Sequence, residues 1–312
     1  MKPILLIVAR LPAFLTEKLT AQFDCHHRDT LDDAAFAALA PSVQGVVANG
    51  ESIFAAQDYV PLTGLKVLAV FGVGYDGIDT RAAQAHGVCV SHTPDVLTDD
   101  VADFAFAHMM AAARHVKQAD AFVRRGDWQR GPHPFTTRVT GAKLGIVGLG
   151  RIGRAIAQRA EGFDMRISYT GRNRQPNVPY DYVDSVVGLA TAVDFLVVAA
   201  PGGADTYHLI NAPVLAALGA SGYLINVGRG SLVDADALAE ALTQGTIAGA
   251  ALDVFENEPQ VEQVLLDAPH LLLSPHMASG TASTRLAMAD LVVDNLLAYF
   301  AGKPLLTPVP QK

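Results

Sequence analysis

At 312 residues the chain has room for two domains of ordinary size, and with half its residues hydrophobic and 17% charged it is of the globular class that buries a large core. A formal charge of −8 argues against a general binder of nucleic acid or anionic membrane. Cys25 and Cys89 have no partner pattern, which excludes a disulfide scaffold and predicts free thiols in a reducing, cytoplasmic setting; no run approaches the ~20 apolar residues of a membrane helix.

Residues 1–97 alternate apolar runs (Ile4–Val8, Gly45–Ala48, Val67–Phe71, Val88–Val90) with alanine-rich stretches at 31–40 and 79–86, the pattern of a parallel α/β sheet. The run at Ile4 is short and followed by Pro12, so it reads as a first strand and not a signal peptide. Cys25-His26-His27 suggests a metal site, but no second ligand pair supports it and no metal is expected. The loop Gly72-Val73-Gly74-Tyr75-Asp76-Gly77 follows a strand. Ligands bind beyond the carboxyl ends of parallel strands, so its backbone N–H groups are candidates for holding a carboxylate.

Residues 98–125 read as one long helix, with Thr98 as N-cap, Asp99 and Asp100 in its first turn, and an end near Gly126. It is apolar on more than one side, which suits burial, including burial against a second copy of the chain. His108 and His115 read as packed or surface histidines. The stretch 126–141 is a loop carrying the single tryptophan, Trp128.

Lys143–Val147 is a buried strand that runs into Gly148-Leu149-Gly150-Arg151-Ile152-Gly153 and then a helix to about Gly162. Strand, glycine turn and helix together make a G-x-G-x-x-G pattern a dinucleotide site. Gly148 permits the tight turn, Gly150 lets the backbone approach a pyrophosphate, and Gly153 lets helix and strand pack closely. The helix N-terminus offers its unpaired N–H groups to phosphate. A second strand, Met165–Thr170, ends in Gly171-Arg172-Asn173-Arg174. An NAD-selective site carries an acid there for the ribose 2′-hydroxyl; two arginines would instead attract a 2′-phosphate, which predicts NADPH over NADH.

Runs at Phe195–Ala200, Tyr223–Val227, Ile247–Leu252 and Leu271–Ser274 continue the sheet, each followed by a loop at its carboxyl end. A final helix, about 281–301, is closed by Gly302 and Pro304. Those loops bear Arg229, Glu258 and His276. Reducing a 2-oxo acid needs a cation on the carboxylate, a proton donor for the forming alkoxide, and a hydride on the carbonyl face. The planar fork of Arg229 suits the first need. His276 suits the second, because an imidazole of ordinary pKa ~6.5 exchanges protons near neutrality. Glu258 could hold its other nitrogen. Strand-end placement alone leaves structural alternatives open: Arg229 paired with Asp253, Glu258 an exposed charge before Pro259, His276 a turn residue after Pro275.

The stretches Gly148–Gly153, Ile225–Asp234, Gly249–Pro259 and Ser274-Pro275-His276, with Val73-Gly74-Tyr75-Asp76 and Thr98–Asp103, resemble the D-isomer-specific 2-hydroxyacid dehydrogenases over nearly the whole chain. The resemblance implies two Rossmann-like or flavodoxin-like α/β domains with parallel sheets: a discontinuous substrate domain of residues 1–97 plus 283–312, and a dinucleotide-binding domain of residues 98–282. It implies Arg229, Glu258 and His276 as the catalytic trio, with Arg229 and His276 also touching substrate. Further substrate contacts are implied from Val73 and Gly74, with Asn49 or Gly50 nearby. It places Arg151 and Ile152 on the pyrophosphate, Thr206 near the nucleotide, and Val227 and Asp253 by the nicotinamide. Thr98, Ala200, Pro201, Gly228, Ala278 and Ser279 complete the cofactor contacts. A homodimer through the 98–125 helix and its following loop is also implied.

The arginine loop is similar to that of NADPH-using glyoxylate/hydroxypyruvate and hydroxyphenylpyruvate reductases. His276-Met277-Ala278 departs from the family's usual His-Ile-Gly, which bears on the pocket near the nicotinamide. The end at Lys312, without the regulatory extension of many phosphoglycerate dehydrogenases, and the arginines argue against phosphoglycerate. The expected activity is NADPH-dependent reduction of glyoxylate, hydroxypyruvate or a similar small acid. The alternatives are a reductase of larger acids, such as hydroxyphenylpyruvate or 2-ketogluconate, and a non-catalytic nucleotide-sensing protein.

Overall fold

The apolar runs become the strands of two sheets, and every pairing between those strands is parallel. The structure, a computed structural model, describes residues 2–310; Met1, Gln311 and Lys312, which fall in the expected substrate domain, lie outside them. The chain divides into two compact units, Met1–Leu97 with Thr281–Lys312, and Thr98–Gly280.

The first unit runs β1 (Ile4–Ile7), α1 (Ala13–Gln22), β2 (Asp24–His27), α2 (Asp33–Leu39), β3 (Gly45–Asn49), α3 (Ala56–Tyr59), β4 (Val67–Phe71), α4 (Thr80–Ala85) and β5 (Cys89–Ser91). Its sheet order, β2-β1-β3-β4-β5, is that of flavodoxin-like folds. All five residues of β4 are buried, as a central parallel strand covered on both faces requires. Asp32 and Asp79 start α2 and α4 by accepting from backbone N–H groups of the first turn.

Three elements of this unit, α1, β2 and the one-turn α3, are not among those expected from the sequence. The edge strand β2 is Asp-Cys-His-His and partly exposed, so it has no apolar run to reveal it. Helix α1 begins after Pro12 with no side-chain cap and buries only Leu15 and Leu19. Cys25 and Cys89 are free thiols on opposite edge strands. Four strand spacings, about 19 Å, separate those strands, where a disulfide requires Cα atoms within ~7 Å. Burial, then the neighbouring Asp24, pushes the Cys25 thiol up to about 11.

The second unit runs α5 (Thr98–Ala113), α6 (Val116–Arg124), β6 (Lys143–Val147), α7 (Arg151–Glu161), β7 (Arg166–Thr170), β8 (Asp181–Tyr182), α8 (Val186–Ala192), β9 (Phe195–Val198), α9 (Ala212–Leu218), β10 (Tyr223–Asn226), α10 (Ala235–Thr243), β11 (Gly249–Leu252), α11 (Gln263–Asp267) and β12 (Leu271–Leu273). Its seven strands lie in the order β12-β11-β10-β9-β6-β7-β8. From β6 the chain builds outward to β8, then returns to β9 and builds the other way. The glycine turn after β6 therefore stands at the point where strand order reverses, where open α/β sheets bind ligands.

The single helix expected over 98–125 is two helices. His115 adopts a left-handed conformation, φ 49° and ψ 40°, between α5 and α6. The carbonyl of Ala113, which would continue the helix, instead accepts from Thr137 N–H at 3.0 Å as the later loop folds back. No glycine or proline marks that break, and histidine is among the residues that tolerate φ > 0. The two halves differ in environment: α5 buries Val101, Ala105, Phe106, His108 and Met109, whereas α6 buries nothing. Asp99 and Asp103 of α5 clasp Arg159 of α7 at 3.1 and 2.5 Å.

The last helix, α12 (Ala282–Phe300), belongs to the first unit and packs on β4 and α1. Its N-cap is Thr281, so the return to that unit comes two residues before position 283. The tail beyond it is pinned by Val309 N–H to the Val90 carbonyl at 2.8 Å and by the fully buried Asn295, which bonds Thr307 twice. Among the described residues no helix is long and apolar enough to cross a membrane.

Candidate active site

The carboxyl ends of the second unit's strands form one continuous rim, because neighbouring loops touch backbone to backbone. A Cβ on Gly148, which sits at φ +96°, would lie 2.8 Å from Ala200 Cα, and one on Gly228 would lie 2.8 Å from the Ala200 carbonyl oxygen. One on Gly230 would collide with the backbone of Phe255. The loops after β6, β9, β10 and β11 thus each touch the next one along the sheet.

Within the glycine turn the three glycines do different work. A Cβ on Gly153 would strike the Gly148 carbonyl, which is the close strand–helix packing expected of the third glycine. A Cβ on Gly150 would meet nothing within 4 Å. Gly150 caps α7 with no side-chain hydrogen bond, and no acid occupies the first turn. An open approach to uncapped N–H groups at the positive end of a helix fits the pyrophosphate of a dinucleotide. Arg151 and Ile152 open that helix. Thr206 turns its hydroxyl to the carbonyls of Pro201 and Gly203, at 3.0 and 3.1 Å. Val227 and Ala278 are buried at the rim, as is Ser279.

After β7, Arg172 and Arg174 are exposed, and among the described residues no acidic side chain engages either. Beside Arg174 a cleft of about 350 Å³ opens between Tyr169, Gln175, Asn177 and Tyr180. Arg154 holds Gln175 Oε1 at 3.1 Å, and Gln175 N–H donates to the Tyr169 hydroxyl at 2.7 Å, so the arginine loop is fastened to the strand and helix it leaves.

At the other end of the rim, His276 Nδ1 lies 2.6 Å from Glu258 Oε2. A carboxylate only accepts, so Nδ1 carries the hydrogen on the Glu258 side of the ring, and Nε2 lies on the opposite side. Phe255 N–H donates to the other oxygen, Oε1, at 2.8 Å and fixes the Glu258 side chain. Arg229, half-buried after β10, has its turn shaped by the buried Asn226. The Asn226 side chain accepts from Gly228 N–H at 3.0 Å and donates to the Arg229 carbonyl at 2.8 Å. Asp253, 1% exposed, takes its hydrogen bonds from Ser274 Oγ, Met277 N and Ala278 N at 2.5, 2.9 and 2.8 Å. It is therefore not the partner of Arg229; it organises the histidine loop. Ser274 in turn meets His108 Nε2 of α5 at 2.9 Å. Asn226 and Ser274 lie inside the stretches Ile225–Asp234 and Ser274-Pro275-His276 without being singled out there, and His108 reads in sequence as a packed or surface histidine; only the fold shows what the three hold.

In the first unit, the loops after β3 and β4 come together: a Cβ on Gly72 would sit 3.0 Å from Gly50 Cα, and one on Gly50 would sit 3.4 Å from the Gly74 carbonyl. Asn49, Gly50, Val73 and Gly74 are thereby neighbours. The Asn49 side chain serves its own loop, accepting from Ser52 Oγ at 2.8 Å and Glu51 N–H at 3.2 Å. The buried His92, missed in sequence, holds the Val73 carbonyl at 2.8 Å, while Thr93 N–H bonds Gly72.

A model of the D-isomer specific 2-hydroxyacid dehydrogenase NAD-binding domain matches residues 106–278. The chain is 49% identical over 270 residues to hydroxyphenylpyruvate reductase of Plectranthus scutellarioides, covering 86% of each protein. It is 40% identical to 2-ketogluconate reductase of Gluconobacter oxydans over 99% of both. The crystal structure of an NADPH-dependent glyoxylate/hydroxypyruvate reductase from Sinorhizobium meliloti, in complex with NADP and malonate, superposes with a TM-score of 0.93. Its sequence identity is 44%, and 99% of this chain and 97% of that one are covered.

The contrasting space around two glycines sets a test. Gly153→Ala, forced against backbone, is expected to cost about 2 kcal/mol and lower Tm by several degrees. Gly150→Ala, with open space for its methyl, should keep the wild-type Tm and weaken dinucleotide binding at least tenfold. Thermal denaturation with a cofactor titration checks both; equal loss of Tm in the two variants would contradict the assignment.

Proposed function

The chain belongs to the D-isomer specific 2-hydroxyacid dehydrogenases, and from that membership we propose that it reduces a small 2-oxo acid, of the size of glyoxylate or hydroxypyruvate, to the D-2-hydroxy acid with NADPH. The observation that carries this reading is the 2.6 Å pairing of His276 with Glu258 on the strand-end rim that also bears Arg229. When bound, the nicotinamide supplies the hydride. Arg229 holds the substrate carboxylate and polarises the carbonyl with its guanidinium. His276 gives the proton on Nε2 to the carbonyl oxygen as the alkoxide forms, and Glu258 stabilises the imidazolium from the opposite nitrogen. In the first unit, the loop of Val73 and Gly74 would offer its backbone N–H groups to a substrate carboxylate, with Asn49 and Gly50 at its edge.

Gly150, Arg151 and Ile152 would hold the pyrophosphate of a bound dinucleotide. Arg172 and Arg174, which carry no competing acid, would take a 2′-phosphate. Thr98, Ala200, Pro201, Thr206, Val227, Gly228, Asp253, Ala278 and Ser279 would line the rest. A second reading, a larger 2-oxo acid, draws on the full-length similarity to a 2-ketogluconate reductase and on the exposed Met277 beside His276. In addition, Val116, Val123, Trp128 and Phe135 are exposed apolar side chains on α6 and the loop after it, a surface that suits a second copy of the chain.

Four experiments test these proposals. A panel of 2-oxo acids assayed with NADPH should show turnover on the small acids. His276→Ala should lower kcat by at least a hundredfold while leaving the NADPH dissociation constant within twofold; near-normal turnover would remove His276 as the acid. Arg172→Ala with Arg174→Ala should raise KM for NADPH about tenfold or more and leave KM for NADH nearly unchanged, and equal effects on both cofactors would defeat the NADPH preference. Light scattering should give twice the chain mass, and Trp128→Glu with Phe135→Glu should halve it. A single-chain mass for the wild type excludes the dimer.

A further inference from the structure

Asp253 receives three consecutive amides of the histidine loop: His276 N–H on its backbone carbonyl at 2.8 Å, Met277 N–H on Oδ1 and Ala278 N–H on Oδ2. Those amides converge because His276 sits at φ 47°, in the left-handed region. Alternating backbone hand of this kind makes a nest for an anion, and here the anion is the chain's own carboxylate. A non-glycine residue held there is disfavoured by ~1 kcal/mol or more, so the orientation of His276 depends on how firmly Asp253 is fixed.

What fixes Asp253 is a proton count. The Asp253 carboxylate has no hydrogen to give, so the single Ser274 hydroxyl hydrogen goes to Oδ1, 2.5 Å away. Ser274 Oγ must then accept from His108 Nε2, 2.9 Å distant, which makes His108 the Nε2–H tautomer. The other nitrogen bears this out: His108 Nδ1 is buried with no hydrogen-bond partner among the described residues, and the Phe104 ring packs 4.5 Å from the imidazole. A hydrogen on Nδ1 would be buried without an acceptor. Burial holds the His108 imidazole below its ordinary range, against the opposing pull of Asp253.

We propose that His108 and Ser274 are positioning residues for the reduction, a directed hydrogen-bond relay from α5 that locks the Asp253 carboxylate in the nest of the histidine loop and so aims His276. The proposal rests on the reading of His276 as the proton donor. No proton travels the relay: it ends at backbone amides. Its effect is geometric, and it should appear in kcat more than in substrate binding.

Three variants test it: His108→Leu, which removes the donor; His108→Gln, whose side-chain amide can put an N–H where Nε2–H was; and Ser274→Ala, which deletes one oxygen and keeps the test open if leucine disturbs packing. Two readouts are taken, steady-state kinetics with NADPH and hydrogen exchange at the amides of Met277 and Ala278. His108→Leu and Ser274→Ala should lower kcat about tenfold, with KM for the 2-oxo acid within twofold, and speed exchange at both amides about tenfold. His108→Gln should recover most of both. The relay is overturned if the exchange rates do not change, if kcat holds in His108→Leu and Ser274→Ala, or if His108→Gln is as impaired as His108→Leu, which would mark packing and not a hydrogen bond. Should the wild type turn over no 2-oxo acid at all, it is the functional reading that fails, and the exchange rates still decide whether the relay holds the loop.

Discussion

Loops at the carboxyl edge of the Thr98–Gly280 sheet have to approach one another to backbone contact, and everything else about the rim depends on that closeness. Strands ~4.8 Å apart leave no room for side chains between the loops that follow them. Gly148 and Gly228 therefore lie against Ala200, and Gly230 lies against Phe255. A side chain at any of these positions would spread the rim and separate the groups it gathers. The order β12-β11-β10-β9-β6-β7 then sets the sequence of functions along the edge: His276, Asp253 with Glu258, Arg229, Ala200, the glycine turn, the arginines. Five strand steps span about 24 Å, a length that suits an extended dinucleotide with reactive and discriminating ends far apart.

Two carboxylates near His276 have opposite duties set by their surroundings. Glu258 keeps one oxygen for Phe255 N–H and points the other at the imidazole, so it acts on the ring. Asp253 spends both oxygens on a hydroxyl and two amides, so it acts on the loop. Charged acceptors of this kind make stronger hydrogen bonds than neutral ones. The burial of Asp253 makes the loss of any one donor expensive.

Most of the fold was legible because parallel strands buried on both faces are unbroken apolar runs, as at Val67–Phe71 and Phe195–Val198, and because the helix caps are sequence-local. The glycine turn was legible for the same reason: its meaning lies within six consecutive residues. Arg229, Glu258 and His276 were legible as strand-end residues whose side-chain chemistry suits a 2-oxo acid, and the family resemblance implies the same trio; placement alone left Arg229 open to pairing with Asp253. What stayed hidden was long-range. The break at His115 comes from Thr137 taking the Ala113 carbonyl, two segments more than twenty residues apart. Strand β2 is polar because it is an edge. His108 looked like any packed histidine until Ser274, 166 residues later in sequence, was seen to use its hydrogen.

The chain leaves its first unit at Leu97 and comes back to it only at Thr281, which gives the protein an order of assembly during synthesis. β4 exits the ribosome early, yet the helix that covers it, α12, is made only after the whole of Thr98–Gly280. At 5–20 residues per second that wait is roughly ten to forty seconds. The second unit is contiguous and can close in that time; the first must keep an apolar strand face open, with Val90 and the Thr307 seat unpaired, until its last helix arrives. The vulnerable interval in this molecule's life belongs to the unit that begins the chain, and chaperone dependence should be sought there.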